Sequence, residues 1–175
     1  MNRGLKGLLS LFLIACAIPA ASAYTSQQLT SAQYLNTLGL FNGVGKNNDG
    51  TQNFNLDAKP TRDEAITMLI RLVGKEEDAK KAEVSIPFND VEEWAKPYVS
   101  YAYNNGLTKG NSATTFGGED RVDSAQYITF VLRALGYSDG SDFSYNTVWT
   151  FSDQLGLTKK EYSKNTTNFT RGDVA

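Results

Sequence analysis

Residues 88–110 read FNDVEEWAKPYVSYAYNNGLTKG, and this stretch decides the fold. After Trp94 comes a helix-like run over residues 95–105 that stops at Gly106. Pro97 falls in the first turn of that run, where a missing N–H costs little. Gly106 stands where a residue in the left-handed conformation closes a helix. The stretch therefore predicts a helix with a defined start and end, followed by a glycine-bounded turn.

The same plan recurs along the chain. Three glycines each follow a helix-like run, at spacings of 67 and 50 residues: Gly39, Gly106 and Gly156. A loop and then a second apolar helix follow each glycine, and the wider first spacing reflects extra loop around residues 47–50. Self-similarity of this kind is the mark of repeat architectures. The sequence therefore predicts a mostly α-helical protein made of tandem helix–loop–helix copies.

The second helix of each copy carries a start signal. Thr61 with Glu64 fits a capping box, in which the threonine hydroxyl accepts from a first-turn N–H and the glutamate reaches back. Asp123 with Gln126, and Thr170 with Asp173, occupy the same positions in the other copies. Apolar residues at helical spacing follow the first two starts, and these helices are expected to end at Gly74 and Gly136.

This pattern resembles the S-layer homology domain. That family's consensus runs F-x-D-V, a tryptophan, a helix, G-[IL]-x-x-G, then F-x-P and T-R-A-E. The second copy supplies the first half, residues 88–116, while T-R-A-E is matched by Thr61-Arg62-Asp63-Glu64 in the first copy and by residues 170–173 in the third. In the second copy Ser124 stands in the arginine position. The resemblance implies copies at residues 24–78, 84–138 and 139–175, the last one truncated.

The resemblance implies a pseudo-threefold, spindle-like bundle whose grooves bind secondary cell-wall polysaccharide carrying pyruvylated sugars. Carried over residue by residue, it makes the following positions ligand-binding candidates: Arg62, Glu64, Trp94, Lys109, Gly110 and Arg171. A guanidinium can grip a ketal carboxylate with two hydrogen bonds. The alternatives are a surface or ion-paired arginine at positions 62 and 171, a packing tryptophan and a solvated lysine.

Composition excludes several function classes. The 175 residues include no histidine and one cysteine, so histidine-based catalysis and Cys- or His-rich metal sites are excluded. No catalytic residue, metal or cofactor is predicted. A formal charge of −2 argues against nucleic acid as a partner. Residues 47–50 suggest a calcium loop, but its twelfth position is Leu56 where a glutamate is needed.

Residues 1–23 are expected to be a signal peptide. Arg3 and Lys6 form a basic start, residues 8–20 a short apolar run, and Ala21-Ser22-Ala23 a cleavage site. A competing interpretation puts a lipid on Cys16. Cleavage after Ala23 leaves 15 basic against 19 acidic side chains and no transmembrane span. The sequence therefore predicts an exported protein of the bacterial cell wall or cell surface.

The predicted function is non-covalent anchoring of an exported protein to cell-wall polysaccharide, with S-layer or other surface proteins as possible neighbours. The chain stops about one turn into its last helix, so we expect a fragment of a longer protein. Two alternatives stay open at this stage. The segment could anchor an enzyme whose catalytic domain lies beyond residue 175, or it could be a structural, protein-binding repeat that has lost polymer binding.

Overall fold

The computed structural model of the protein describes residues 24–175. The predicted signal peptide, its cleavage site and the alternative lipid site at Cys16 lie outside the described residues. Among the residues described, no helix is both long and apolar enough to cross a membrane.

The described chain is mostly α-helical, as the sequence predicts. Seven α-helices lie within residues 24–175: α1 (Ser26–Thr37), α2 (Arg62–Leu72), α3 (Glu76–Lys81), α4 (Lys96–Asn104), α5 (Ser124–Ala134), α6 (Val148–Gln154) and α7 (Arg171–Val174). A short 3-10 turn, Tyr145–Thr147, precedes α6. The pairs α1/α2, α4/α5 and α6/α7 follow the predicted helix–loop–helix order. The boundaries between copies and the spindle-like arrangement stay predictions.

Local signals start and stop these helices where the sequence places them. Thr61 and Glu64 form a complete capping box at α2, and Asp123 and Gln126 form one at α5. At α7 the Asp173 carboxylate accepts from both the backbone N–H and the hydroxyl of Thr170, at 2.7 and 2.9 Å. These contacts satisfy N–H groups that have no partner inside the helix.

A single apolar cluster joins the first two copies. It includes Phe41 and Phe54 from the first copy and Phe88 and Phe116 from the second, and Phe169 of the third copy joins it. A smaller cluster lies between α5 and α6 and is built on Leu132, Phe143 and Val148, among others. α5 serves both clusters because residues on different faces of the helix belong to different ones.

Two features have no counterpart in the sequence-based prediction. The charged segment after Gly74 forms α3, which packs on α4 and buries Ala79. The extra loop of the first copy forms a two-stranded antiparallel hairpin, β1 (Gly45–Lys46) and β2 (Gln52–Asn53). The Asp49 carboxylate holds the hairpin turn by accepting from the Thr51 N–H at 2.9 Å and from its hydroxyl at 2.6 Å.

The last helix returns to the first one. α7 packs on α1, and Gln28 Nε2 donates to Asp173 Oδ1 at 3.0 Å. The backbone N–H groups of Arg171 and Gly172 donate to the carbonyls of Ala58 and Leu56 in the first copy, at 2.8 and 2.9 Å. Residues at the two ends of the described chain are therefore joined directly.

Candidate functional site

Two contacts between copies are built in the same way. At the start of α2, the backbone N–H groups of Arg62 and Asp63 donate to the carbonyls of Asp120 and Gly118, at 2.9 and 3.0 Å. The start of α7 makes the equivalent pair of bonds to the first copy, as described above. In both cases the acceptors lie two and four residues after a buried phenylalanine of the neighbouring loop, Phe116 or Phe54. A helix start of one copy thus docks on the loop of another.

An arginine fixes each of these contacts. Arg62 is 4% exposed, its Nε donates to the Phe116 carbonyl at 2.9 Å, and its guanidinium lies 4.8 Å from the centre of the Phe116 ring. Arg171 is 6% exposed, and its Nε donates to the Phe54 carbonyl at 3.0 Å. Each arginine therefore joins two copies through a carbonyl and an aromatic ring. This role is neither the solvated nor the ion-paired alternative.

The acid of the F-x-D-V motif prepares the loop on which Arg62 docks. The two carboxylate oxygens of Asp90 accept from the N–H groups of Phe116 and Gly117, at 2.7 and 2.8 Å. These bonds orient the Phe116 carbonyl region toward the start of α2. Asp90 is thus a positioning residue. The F-x-D-V motif includes it but does not indicate this role.

The Arg62 side chain also lines a cleft of about 290 Å³, which we call the Arg62 cleft. Its wall is formed by Arg62, residues 108–111, Gln126, Thr129, Phe130, Arg133 and Tyr145. Three of these residues are cations, and no carboxylate belongs to the lining among the residues described. The terminal nitrogens of Arg62 donate no hydrogen bond within residues 24–175, so they remain available to a ligand.

Burial and neighbouring charges tune the groups of this cleft. Burial lowers the pKa of the Arg62 guanidinium, and Tyr145 and Asp120 oppose that shift. Burial likewise lowers the pKa of Arg133, opposed by Asp139, whose carboxylate lies 3.6 Å from a terminal nitrogen of Arg133. Arginine keeps its charge at neutral pH because its ordinary pKa lies above 12. The cleft therefore presents fixed positive charge in a protein that is acidic overall.

The structure brings three of the six predicted site residues together. Arg62, Lys109 and Gly110 all line the Arg62 cleft. Gly110 has φ of +76°, and a side chain there would collide with the Phe88 ring and with the Thr115 carbonyl oxygen at 2.8 Å. The glycine is thus required by packing as well as by its turn.

Glu64 and Trp94 lie in a different place. Trp94 is 49% exposed and lines a second cleft, the Trp94 cleft, together with Glu64, Asp63, Glu92 and Glu119, among others. Glu64 also caps α2 by accepting from the Thr61 N–H at 2.9 Å. Four carboxylates repel an acidic ligand, so this cleft differs in character from the Arg62 cleft.

Among residues 24–175, no cluster of three or more acidic or thiol groups could hold a metal ion.

Arg171 stands apart from both clefts. Its terminal Nη2 donates to the Asn42 carbonyl at 3.1 Å, and the guanidinium lies 5.5 Å from the centre of the Phe41 ring. Burial lowers its pKa, and nearby Glu64 opposes that change. Glu64 is therefore an electrostatic neighbour of Arg171.

Sequence reasoning missed Arg133 and Tyr145. Arg133 follows Gln126 by seven residues and Phe130 by three on α5, so all three share one helix face. That spacing could have revealed Arg133. Tyr145 lies in the 3-10 turn of another copy and has no such local signal. Burial raises the pKa of its phenol, with Asp123 adding to the shift and Arg62 opposing it.

The start of α5 and the last loop hold the third pair of corresponding positions. Neither the arginine nor the phenylalanine is present there. Ser124 holds the arginine position at α5, and Ser163 lies seven residues before Thr170, as Phe54 does before Thr61. Both serines line a cleft of about 280 Å³ with Tyr145 and Trp149, among others. Serine therefore stands at both positions, where the other two contacts have an arginine and a phenylalanine.

Comparison with known proteins finds a match to one family within this chain. The family model for the S-layer homology domain matches residues 87–128. Relatives include the middle cell wall protein of Brevibacillus brevis, 29% identical over 143 residues, which cover 80% of this chain and 13% of that protein. The surface layer protein of Brevibacillus choshinensis is 30% identical over 144 residues (78% and 12% of the two chains). A cell surface protein of Thermoanaerobacter kivui is 36% identical over 127 residues (70% and 16%).

By their names, these relatives are proteins of the cell wall, the surface layer or the cell surface. Within this chain, the S-layer homology match covers residues 87–128. The family and its relatives support an exported location at the cell wall or cell surface. The chain spans less than a fifth of the length of each of these relatives.

Proposed function

We propose that this chain anchors an exported protein to the cell wall by binding an acidic wall polysaccharide in the Arg62 cleft. The observation that carries the proposal is the concentration of Arg62, Lys109 and Arg133 around one cleft whose lining, within residues 24–175, includes no carboxylate. The rest of the protein repels an acidic polymer because it carries more acidic than basic side chains. Binding therefore depends on positive charge held at one place.

The cleft offers the donors that a ligand carboxylate needs. The terminal nitrogens of Arg62 have no protein acceptor among residues 24–175, while its Nε and its ring contact with Phe116 hold the guanidinium in place. A fixed guanidinium loses little conformational freedom when it binds a carboxylate. The exposed Lys109 adds a second charge, and the side-chain NH2 group of Gln126 adds a donor for sugar hydroxyls, since only its Oε1 is bonded, to the Asp123 N–H.

Arg171 stays a predicted ligand residue outside the Arg62 cleft, with fewer free donors than Arg62. Two of its nitrogens already donate to carbonyls, which leaves its Nη1 for a ligand among the contacts described. Glu64 and Trp94 stay predictions of ligand contact, and they line the acidic Trp94 cleft, not the Arg62 cleft.

The test is co-sedimentation with purified cell walls, before and after extraction of the polysaccharide. Arg62→Ala should reduce retention on intact walls by at least tenfold, since it removes a charged donor from the cleft. Arg121→Ala is the matched control, because Arg121 is exposed and lines the Trp94 cleft instead. Equal retention of the chain on extracted and intact walls would contradict the polysaccharide proposal.

A second pair of variants avoids disturbing the contact between copies. Lys109 and Lys81 are both exposed, and only Lys109 lines the Arg62 cleft. Lys109→Ala should weaken wall binding about three- to tenfold, whereas Lys81→Ala should leave it unchanged. If both lysine variants bind as well as the unaltered chain and Arg62→Ala loses its fold by circular dichroism, the cleft assignment is wrong.

One observation favours a second candidate function. The third contact has lost both the arginine and the phenylalanine, as expected of a repeat whose role has become structural or protein-binding. Wall retention that persists after Arg62 and Lys109 are both replaced would favour this candidate over polysaccharide binding in the Arg62 cleft.

A further inference from the structure

A cleft of about 600 Å³ lies within the first copy, between α1 and the β1–β2 hairpin. It shares no lining residue with the Arg62 cleft or the Trp94 cleft. We propose that this α1 cleft is a second binding site and that its ligand is a neutral oligosaccharide. The proposal does not depend on the function proposed for the Arg62 cleft.

The hairpin wall of the α1 cleft comes from an insertion in the first copy. Ten residues separate Gly43 from Phe54, whereas five separate Gly110 from Phe116 in the second copy. The additional residues form the hairpin, whose Asn47, Gln52 and Asn53 line the cleft. Bonds from Asn47 Nδ2 to Thr51 Oγ1 at 2.9 Å and from Gln52 Nε2 to the Gly45 carbonyl at 2.8 Å fix this wall before any ligand arrives.

α1 turns a polar face toward the cleft. Leu29, Gln33, Asn36 and Thr37 line it, and their spacing of four, three and one places them along one side of the helix. Ala32 is the buried residue of α1. A helix held mainly by apolar packing would direct a Leu- or Val-rich stripe inward. α1 packs Leu29 and Leu35 on the core and presents amide and hydroxyl groups to this open cleft.

The lining chemistry selects the ligand class. Six carboxamides line the cleft: Gln33, Asn36, Asn47, Gln52, Asn53 and Asn55. Those of Asn36, Asn47 and Gln52 already donate to protein acceptors, and that of Asn53 accepts from the Asn55 N–H. A carboxamide offers a donor and an acceptor side by side, which matches paired sugar hydroxyls or an acetamido group. The side-chain amides of Gln33 and Asn55 make no hydrogen bond within residues 24–175, and Tyr24 adds an aromatic ring.

Charge excludes the acidic polymer from this cleft. Asp57 is the one residue of its lining, among those described, that carries charge at neutral pH, and no lysine or arginine belongs to that lining. An acidic saccharide would meet the Asp57 carboxylate without a compensating cation, whereas a neutral chain carries no charge for that carboxylate to repel. The α1 cleft and the Arg62 cleft therefore accept different saccharides.

The experiment is a calorimetric titration of the purified chain with two neutral probes. These are the β-1,4-linked tetramers of N-acetylglucosamine and of glucose. The variant Gln33→Ala with Asn55→Gly removes both unpaired amides. Glycine suits position 55 because Asn55 has φ of +50°, a left-handed conformation that glycine adopts without strain. Gln27→Ala is the matched control, since Gln27 is exposed on α1 and does not line the cleft.

We expect at least one tetramer to bind, the double variant to bind it at least tenfold more weakly, and Gln27→Ala to bind it normally. Lys109→Ala should also leave this binding intact, which separates the result from that of wall anchoring. No heat from either tetramer at millimolar concentration would overturn the inference. Equal weakening in the Gln27→Ala control, or weakening by Lys109→Ala, would also overturn it, because binding would then lie outside the α1 cleft.

Discussion

Asp63 is a buried carboxyl group held between two copies. It is 1% exposed, and its Oδ2 accepts from the Glu92 N–H at 3.0 Å, while Oδ1 has no hydrogen-bond partner among the residues described. Burial raises the pKa of Asp63 to about 6; the Glu92 N–H opposes the shift, and the carboxylates of Glu92 and Asp90, among others, add to it. The folded protein therefore holds a proton at Asp63 under mildly acidic conditions.

This raised pKa predicts a pH-dependent stability. The folded pKa lies above the ordinary value of 3.8, so the folded state binds more protons than the unfolded state between those values. The free energy of unfolding should fall by about 1–3 kcal/mol as pH rises from 4 to 7 because of this group alone. Urea unfolding of the chain and of Asp63→Asn at several pH values measures it. A stability difference between the two proteins that does not change with pH would contradict the assignment.

At the scale of elements, the local signals proved dependable. The capping boxes at α2 and α5 depend on residues three apart, so the sequence alone locates them. The same box opens α1, where Gln28 and Thr25 exchange bonds of 2.7 and 3.1 Å. α3 escaped prediction because its stability depends on packing: Glu76 accepts from Tyr98 of α4 at 2.9 Å and pairs with Arg71 of α2 at 3.1 Å. The charged sequence of α3 does not by itself indicate which residues it packs against.

Two glycines that end and follow α4 offer a matched comparison. Gly106 and Gly110 have φ of +73° and +76°, but only Gly110 lacks room for a side chain. Gly106→Ala should lower the free energy of unfolding by about 1–2 kcal/mol, the cost of the left-handed backbone. Gly110→Ala should cost about 1–3 kcal/mol more, since the Phe88 ring must move. Urea unfolding midpoints measure the stability of both variants. Equal decreases in the free energy of unfolding would show that the Phe88 ring moves aside at no cost.

Across the whole molecule, the sequence singled out Arg62 and Arg171 but did not indicate which residues they contact. Arg62 and Arg171 were recognisable because they occupy a family motif. Their partners, Phe116 and Phe54, lie 54 and 117 positions away in the chain, so only the assembled fold reveals the contacts. The same holds for the Arg62 cleft, since Tyr145 joins it from another copy. The helical fold class was predictable from sequence, whereas the contacts between distant segments were not.

The return of α7 to the first copy predicts a long-range effect on stability. Arg171→Ala removes bonds to the carbonyls of Phe54 and Asn42. Amide hydrogen exchange in residues 41–56 should become at least tenfold faster, although the substitution lies more than a hundred residues away in sequence. Lys164→Ala is the control, because Lys164 is exposed in the same copy. Faster exchange confined to α7 would show that the contact does not stabilise the first copy.

The joining of α7 to α1 also determines how the protein responds to mechanical load. A tensile force applied between residues 24 and 175 acts first on the bonds that link these two regions, Gln28 to Asp173 and the Arg171 and Gly172 N–H groups to the first copy. The intervening residues form a loop that is shielded from tension until those bonds break. A molecule at the cell surface would then lengthen before its other copies bear the load, and the released loop would absorb the work of pulling.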